Sequence, residues 1–409
     1  LNRYFYALLV SQTSTNLGFA LYTMVVVLHL YNESDSTALS AAVTLVSFIA
    51  RMGSGLILPA VSDRYKPTHL LMFAQISQLL LLAGLFILFQ IELTTTILVI
   101  VFMVLASISF FNGFFSPIKS TLVKSIVHES TRVKANSLIS SVDQTFLFAG
   151  WTFGGVLLAF FGKDTTLAFT FGLLITSIVS LLLVKVQKSV TIQSQDGFLA
   201  RITSGWQHLF QHKGLRILVI MDLMEAWVGT IWIGAVTLTF AKEALGKGEM
   251  WWGYINGGYY LGTIIGGLLV FRFSKWMQGR LTLFMLAGSF LFGLLTFFYG
   301  FVSTPYLALV LVLLMGPAYQ LRDLAQETMF QNSIDDQTLI KILAARSTLV
   351  QLIFILSVIG IGVLTDLIGV RLVYILSGSL LLFSAIYGFY YLHIQGNGAS
   401  LESNKVKAS

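Results

Sequence analysis

The chain is 409 residues long; 56% of them are apolar, 13% aromatic and only 11% charged, with a net charge of +7 and no cysteine. A soluble domain carries roughly a quarter charged residues, so this chain has too few to clothe a water-exposed surface. A soluble enzyme, a nucleic-acid binder, a disulfide-stapled scaffold and a thiolate metal site are all excluded.

Apolar runs long enough to cross a hydrocarbon core, which takes about 20 helical residues, recur from end to end. Twelve are predicted, at 4–30, 38–61, 68–90, 95–120, 135–161, 165–186, 215–241, 250–273, 280–301, 305–330, 338–365 and 370–392. The first is too long for a signal-peptide core and no small-residue cleavage site follows it, so it reads as a span. Seventeen lysines and arginines fall in the terminal segments and alternate connections, from Arg3, Arg64 and Lys66 through Arg272, Lys275 and Arg280 to Lys405 and Lys407. The other side holds only Lys163, Lys242, Lys247 and Arg371. Basic residues accumulate on the cytoplasmic side, so both termini are expected in the cytoplasm of a multi-pass plasma-membrane protein.

In the first span, Gln12, Asn16, Phe19 and Thr23 share one helical face, as a cavity wall requires, whereas Ser11, Thr13 and Ser14 also suit helix packing. Arg51 is placed mid-span in the second run with no acid in its own helix. It either binds a substrate carboxylate or pairs with an acid across the bundle. The fourth run ends in Phe110-Phe111-Asn112-Gly113-Phe114-Phe115, where Asn112 is the one amide among rings. Asp143 falls near the inner end of the fifth run, as a gate residue would.

The longest connection, 187–214, separates six spans (1–186) from six (215–392). Within it Phe198, Ile202, Trp206 and Leu209 recur at helical spacing, which predicts an amphipathic helix on the membrane surface. His208 and His212 are four apart, but two histidines without a third ligand do not make a metal site, and none is expected. The tail, 393–409, is polar and reads as disordered.

A charge inside a span costs roughly 2.5–3.5 kcal/mol on insertion scales, which makes it a mark of function. Asp222 and Glu225 lie one turn apart in the seventh run, on the face of Gly229 and Trp232. Two carboxylates that close in a poorly solvated cleft repel, and one is disposed to carry a proton; they are the proton-coupling candidates. The tenth run holds Arg322, Asp323 and Glu327, with Tyr319 and Gln326 nearby. That cluster suits either a grip on a zwitterion or, with Asp323 and Glu327, an inner gate. Trp227, Trp232, Tyr254, Asn256, Tyr319, Arg322 and Gln326 together with Gln12, Asn16, Arg51 and Asn112 outline an aromatic and polar substrate cavity.

The halves repeat. At an offset of 207 residues, Gly155-Val156-Leu157 and Gly162 fall on Gly362-Val363-Leu364 and Gly369, and Thr121, Thr131, Lys134 and Gln144 fall on Thr328, Thr338, Lys341 and Gln351. Two six-helix halves of like orientation are related by an axis along the membrane normal. The fold class predicted is therefore an all-α membrane protein of twelve helices in two bundles that rock about a central site.

The stretch Pro59-Ala-Val-Ser-Asp63-Arg64-Tyr-Lys-Pro67 keeps the Asp-Arg of the Gly-x-x-x-Asp-Arg-x-Gly-Arg signature of the major facilitator superfamily, without its glycines or final arginine. Gly150-Trp151-Thr-Phe-Gly154-Gly155 keeps three glycines of that family's antiporter motif, Gly-Pro-x-x-Gly-Gly. The run from Pro117 through Val127 to Ala135-Asn136-Ser137-Leu138 resembles the branch of macrolide-efflux proteins and siderophore exporters. From residue 4 to 392 the chain thus resembles a major facilitator exporter. The resemblance implies alternating access, gating by Asp63 and Arg64, and antiport at the Gly150, Gly154, Gly155 motif. Many drug–proton antiporters of the family carry an arginine in helix 4. The run Met103–Phe115 has none, so the proton group belongs elsewhere.

No Walker loop, metalloprotease helix or nucleophile elbow is present, so an ion gradient is the expected energy source and no cofactor is called for. The expectation is a proton-coupled exporter of a small amphipathic or zwitterionic solute, acting as a monomer in contact with lipid. Arg51 and Arg322 favour a carboxylate-bearing metallophore of the siderophore or staphylopine type over a hydrophobic cationic drug. Nutrient symport, lipid flipping and a non-transporting sensor are the other readings.

Overall fold

The computed structural model describes residues 1–34, 36–186, 197–232 and 235–394. Among the described residues the regular elements are helices, and no strand occurs. In chain order they are α1 (Arg3–Ser34), α2 (Thr37–Ser62), α3 (Pro67–Leu88), α4 (Thr95–Asn112), α5 (Phe115–Ile126), α6 (Arg132–Leu182) and α7 (Phe198–Gln211). There follow α8 (Lys213–Val228), α9 (Ala235–Thr239), α10 (Glu249–Met277), α11 (Leu281–Tyr299), α12 (Pro305–Ser333), α13 (Asp336–Ile368) and α14 (Val370–Gly388).

Among the described residues, ten helical stretches are long and apolar enough to cross a membrane, and the bent pair Lys213–Trp232 and Ala235–Ala244 makes an eleventh candidate. One of the ten, Glu129–Leu182, runs for 54 residues, about 80 Å at 1.5 Å per residue. That exceeds two hydrocarbon cores laid end to end. Gly162 interrupts it with φ 75° and ψ 176°, between the predicted spans 135–161 and 165–186. Gly369 does the same between α13 and α14, with φ 83° and ψ 151°. Side chains with a Cβ rarely adopt positive φ, and these two glycines stand at the predicted 207-residue offset.

Local chemistry accounts for several helix starts. Pro67 and Pro305 occupy the first turns of α3 and α12, where a missing N–H is no loss. Ser36 and Thr94 cap α2 and α4 by accepting from the Leu39 and Ile97 amides. On α3, Phe73, Leu80 and Ile87 recur every seven residues and are 58%, 67% and 62% exposed. Apolar side chains turned outward in a stripe are what a lipid-facing surface presents.

The chain forms two compact units. One comprises Leu1–Val127, Thr145–Trp206 and Asp336–Gln351; the other comprises His128–Gln144, Gln207–Asp335 and Leu352–Ser409. The segments His128–Gln144 and Asp336–Gln351 each lie in the unit built mainly from the opposite half, and their final residues, Gln144 and Gln351, are again 207 apart. The first unit has a core around Tyr22, Val25, Leu82, Leu85, Leu105 and Leu167. Beside it Gln75 Nε2 donates to Ser177 Oγ at 2.6 Å and Ser11 Oγ at 3.0 Å, tying α1, α3 and α6 together. The second unit is centred on Phe240, Tyr299, Met315 and Tyr374.

Two expectations need correction. The connecting helix α7 forms as predicted, but its most buried positions are Arg201, Gly205 and Leu209, with Ile202 and Trp206 only half-buried. Arg201 Nη1 reaches the Ala60 carbonyl at 3.5 Å, and Gly205 closes on the Lys341 backbone so tightly that a Cβ would overlap it. Arg201 is therefore on the docked side of this helix, which the apolar spacing of Phe198, Ile202, Trp206 and Leu209 does not mark. The last helix also continues, as a π-turn, through Ile394. The rest of the predicted disordered tail, 395–409, and residues 187–196 of the connection lie outside the described residues.

Candidate functional site

Arg322 on α12 is the hub of the second unit. It is 4% exposed, and its Nη2 stands 2.6 Å from Asp222 Oδ1 and 3.0 Å from Glu225 Oε2, both on α8. Asp323 Oδ1 lies 3.9 Å from Nη1, and Gln326 Nε2 donates to Asp222 Oδ1 at 3.0 Å. One guanidinium thus serves three carboxylates. The i, i+3 spacing of Asp222 and Glu225 places both on the α8 face that meets α12, and Gln326 follows Arg322 by one turn. Around the hub, Met221, Glu225, Ser289, Phe292, Tyr319, Arg322, Leu381 and Ser384 line a small pocket.

An aromatic group adjoins it. Trp232 and Tyr259 are stacked at 6.2 Å with planes 7° apart, and Tyr319 meets Phe292 at 5.8 Å and Tyr259 at 6.5 Å. Trp232 Nε1 is shielded and makes no hydrogen bond. Trp227 instead packs over Gly360. Tyr254 is 51% exposed and its hydroxyl turns to Met250, while Asn256 gives its amide to the Trp252 carbonyl of its own helix at 2.9 Å. Neither Tyr254 nor Asn256 contacts the hub in this structure.

In the same unit Glu327 accepts from Gln331 Nε2 at 3.4 Å, and Asp143 is buried. Here a polar seam that the sequence reading did not pick out joins the start of α6 to the end of α12. Arg132 Nη1 donates to Asn332 Oδ1 at 2.7 Å, and Asn136 Nδ2 donates to Gln331 Oε1 at 2.9 Å and Thr328 Oγ1 at 3.0 Å.

In the first unit Gln12 is buried and donates to Asn16 Oδ1 at 3.2 Å. Asn112, Phe19, Thr15, Gly18, Tyr22 and Gln78 line a second small pocket. Arg51 lies over the Phe19 ring at 4.4 Å and near the Phe48 ring at 5.9 Å. Its Nε is shielded without a hydrogen bond, and no carboxylate pairs with it among the described residues. Pairing with an acid, one of the two readings of Arg51, is thus not what this structure contains.

Asp63 Oδ1 pairs with Lys341 Nζ at 2.7 Å, with the side chains only 11% and 15% exposed. Arg64 is exposed and makes no ion pair among the described residues, so the partner of the Asp-Arg stretch is Lys341 alone. Lys341 went unremarked as a site residue, although its repeat mate Lys134 pointed to it. Gly150 and Gly154 bring α6 onto α1: a Cβ on Gly150 would meet Leu17 Cδ1 at 3.0 Å, and one on Gly154 would meet Met24 Sδ at 2.8 Å. Gly155 has more room, with Met24 Cε at 3.6 Å.

A family model described as Major Facilitator Superfamily matches residues 8–321. The uncharacterized MFS-type transporter YfmI of Bacillus subtilis (strain 168) is 49% identical over 393 residues, spanning 96% of this chain and 97% of that protein. A second from the same organism, YjbB, is 28% identical over 385 residues, 93% of each. Among solved structures, an outward-facing bacterial homologue of the iron transporter ferroportin matches with a TM-score of 0.81 at 14% identity, covering 96% of this chain and 99% of that one. The fucose:proton symporter FucP of E. coli matches at 0.71 and 12%, covering 95% and 99%. At these identities the structural likeness is one of fold.

Proposed function

The chain belongs to the major facilitator superfamily, and from that premise we propose that it is a proton-coupled exporter of a small amphipathic or zwitterionic solute. It is a multi-pass plasma-membrane transport protein, not an enzyme, and it acts on small molecules by alternating access. The proposal adds the coupling ion, the direction and the solute class. It also counts α6 as two spans and the bent α8–α9 pair as one, which makes twelve, with both termini cytoplasmic and residues 187–214 joining halves 1–186 and 215–392.

The observation that carries the coupling is the three-to-one arrangement around Arg322. With three carboxylates in reach, the guanidinium is not committed to any one of them, and the group is net negative. A proton arriving at Asp222 or Glu225 removes one claim on Arg322 and relaxes the α8–α12 tie. Loss of the proton restores it. A buried ion pair is held by geometry and broken by neutralising one partner, which is the switch that alternating access needs. Two discrete states of one tie convert a proton into a helix displacement.

Export is favoured by the glycine run Gly150, Gly154 and Gly155, which resembles the antiporter motif and packs closely on α1. The Asp63–Lys341 pair supports an inner gate, with Asp143, Asp323 and Glu327 as further gate residues and Arg64 in a lesser role. A metallophore is favoured over a cationic drug because Arg51 is without an acid. The second reading, multidrug efflux, is supported by the rings of Trp232, Tyr259, Phe292 and Tyr319.

The test is transport in proteoliposomes holding the full chain, with an imposed pH gradient and a metallophore and a lipophilic dye offered in parallel. Metallophore movement against the proton flow, lost in Asp222→Asn/Glu225→Gln, is the expected outcome. Movement of the dye alone selects the multidrug reading. Unchanged proton-driven export in the double variant removes the coupling assignment.

A further inference from the structure

The two membrane-embedded arginines are in opposite situations. Arg322 is paired with acids through its terminal nitrogens. Arg51 is on α2 in the first unit, where α1 and α2 carry their acids only at the helix ends (Glu33 and Asp63) and α4 carries none. Its contacts are two aromatic faces, Phe19 and Phe48. A guanidinium has five N–H donors, and none of Arg51's makes a hydrogen bond within the described structure. The residue is half-buried, so the head group is partly withdrawn from its surroundings without being compensated.

The pocket beside it sorts its polar groups in the same way. Thr15 donates to the Ser11 carbonyl at 3.0 Å, and Gln78 donates to the Ile108 carbonyl at 3.2 Å. Tyr22 is engaged with Ser109, and Thr170 donates to the Thr166 carbonyl at 2.9 Å. Asn112, which lines the pocket with Phe19, has no such partner. The pocket lining contains no acid. What remains on offer is the Asn112 amide in the pocket wall and, on the Phe19 ring that the two share, the Arg51 guanidinium.

We infer that Arg51, with Asn112 and Phe19, is the subsite that receives the carboxylate of the transported solute, with an apolar or aromatic body beside the charged group. This rests on the reading of the chain as a transporter of an amphipathic solute and assigns that solute's carboxylate to a defined subsite in the first unit. The planar fork of a guanidinium matches a carboxylate bidentately. A single positive charge suits a monoanion, whereas a phosphate dianion would need a second cation, and the described pocket has none. The Phe19 ring, its centroid 4.4 Å from the guanidinium carbon, holds the head group by a cation–π contact that uses none of its N–H donors. The position over Phe19 also leaves an unliganded Arg51 with partial compensation, which is why it tolerates the absence of an acid.

Binding is measured on the purified full chain in nanodiscs, without any gradient. Two probes of different size, phenylacetate and dansylglycine, are each compared with their primary amides. At least one carboxylate should bind roughly tenfold or more tightly than its amide, as a charge-assisted pair allows. Arg51→Gln should abolish that preference without lowering the melting temperature, and Arg51→Lys should keep part of it. Equal affinity of acid and amide, a preference that survives in Arg51→Gln, or no binding of either pair to the wild type overturns the assignment. The acid-against-amide comparison on the wild type needs no variant to fold. Because no proton gradient is applied, loss of coupling at Asp222 leaves this result standing, and failure here leaves the coupling assignment standing.

Discussion

Asp63 and Lys341 are joined at 2.7 Å, whereas Lys134, the repeat mate of Lys341 207 residues earlier, rests on the Phe271 ring at 4.8 Å. The duplication has kept the lysine in both halves and an acid opposite only one of them. Lys134 has an aromatic face where Lys341 has a carboxylate, so the two ends of α2 and α10 are not equivalent locks. A partly buried ion pair ties the end of α2 to the start of α13, and a cation–π contact ties the start of α6 to α10.

Breaking the stronger tie should be measurable. Asp63→Asn leaves Lys341 without its partner, and a cost of about 1–2 kcal/mol is expected, between the values of exposed and fully buried pairs. That is roughly a tenfold shift between two conformations. Spin-label distances between α2 and α13 in nanodiscs should broaden in Asp63→Asn and in Lys341→Gln. The charge swap Asp63→Lys/Lys341→Asp should restore them, and Arg64→Gln should leave them unchanged. An unaltered distance distribution in both single variants would remove the pair from any gating role.

The hub around Arg322 predicts strong non-additivity. Arg322→Met strips the cation from two close carboxylates, and a loss of about 3–5 kcal/mol is expected, because an uncompensated buried charge is left behind. The triple variant Arg322→Met/Asp222→Asn/Glu225→Gln removes both sides and should recover much of the stability while remaining dead for proton-driven transport. Thermal melting separates the two. Equal melting temperatures for the single and triple variants would mean that the ion pairs do not hold α8 to α12.

Much of this was legible in the sequence, for a physical reason: lipid allows few charges, so Asp222, Glu225, Arg322 and Gln326 announced themselves by being where hydration is absent. The repeat was legible because Gly162 and Gly369 serve a backbone geometry that few residues can adopt. Lys341 was not, since a lysine in the first turns of a span looks like an interface residue until its partner is known. Tyr254 and Asn256 stand apart from the hub because an amide in a helix can satisfy itself on the preceding turn, as Asn256 does on Trp252, and composition does not say which face turns inward. The docked side of α7 misled: Gly205 packs because it is small, which hydrophobic periodicity does not register.

The two positive-φ glycines that stand 207 residues apart provide a test of the predicted repeat as structure. At Gly162 and Gly369 a Cβ meets no neighbouring atom within 4 Å, so any penalty for alanine is conformational and not steric. Gly162→Ala and Gly369→Ala should each cost about 1–3 kcal/mol. The sites lie in separate units, so the costs should add in the double variant. Gly53→Ala, a helical site with equal room, should be neutral or slightly stabilising. Melting curves of the four proteins decide it, and a neutral Gly162→Ala would mean that α6 does not turn at this residue.

Arg51 makes the sharpest prediction, since stability and function should move in opposite directions. An arginine inside a span costs roughly 2.5–3.5 kcal/mol on insertion scales, and the Phe19 and Phe48 rings beside this half-buried side chain return only part of that, about 0.5–1 kcal/mol each. Arg51→Met keeps the length and apolar stem of the side chain, removes the charge and leaves no acid behind unpaired. The variant should therefore melt a few degrees higher than the wild type, at roughly 2–4 °C per kcal/mol for a unit of this size. It should at the same time lose the preference for carboxylates over amides. A structural arginine would behave the other way: its removal would lower the melting temperature, because contacts would be lost and nothing relieved. Thermal unfolding of wild type and Arg51→Met in the same detergent, without added solute, distinguishes the two, and a lower melting temperature for Arg51→Met would return Arg51 to a packing role.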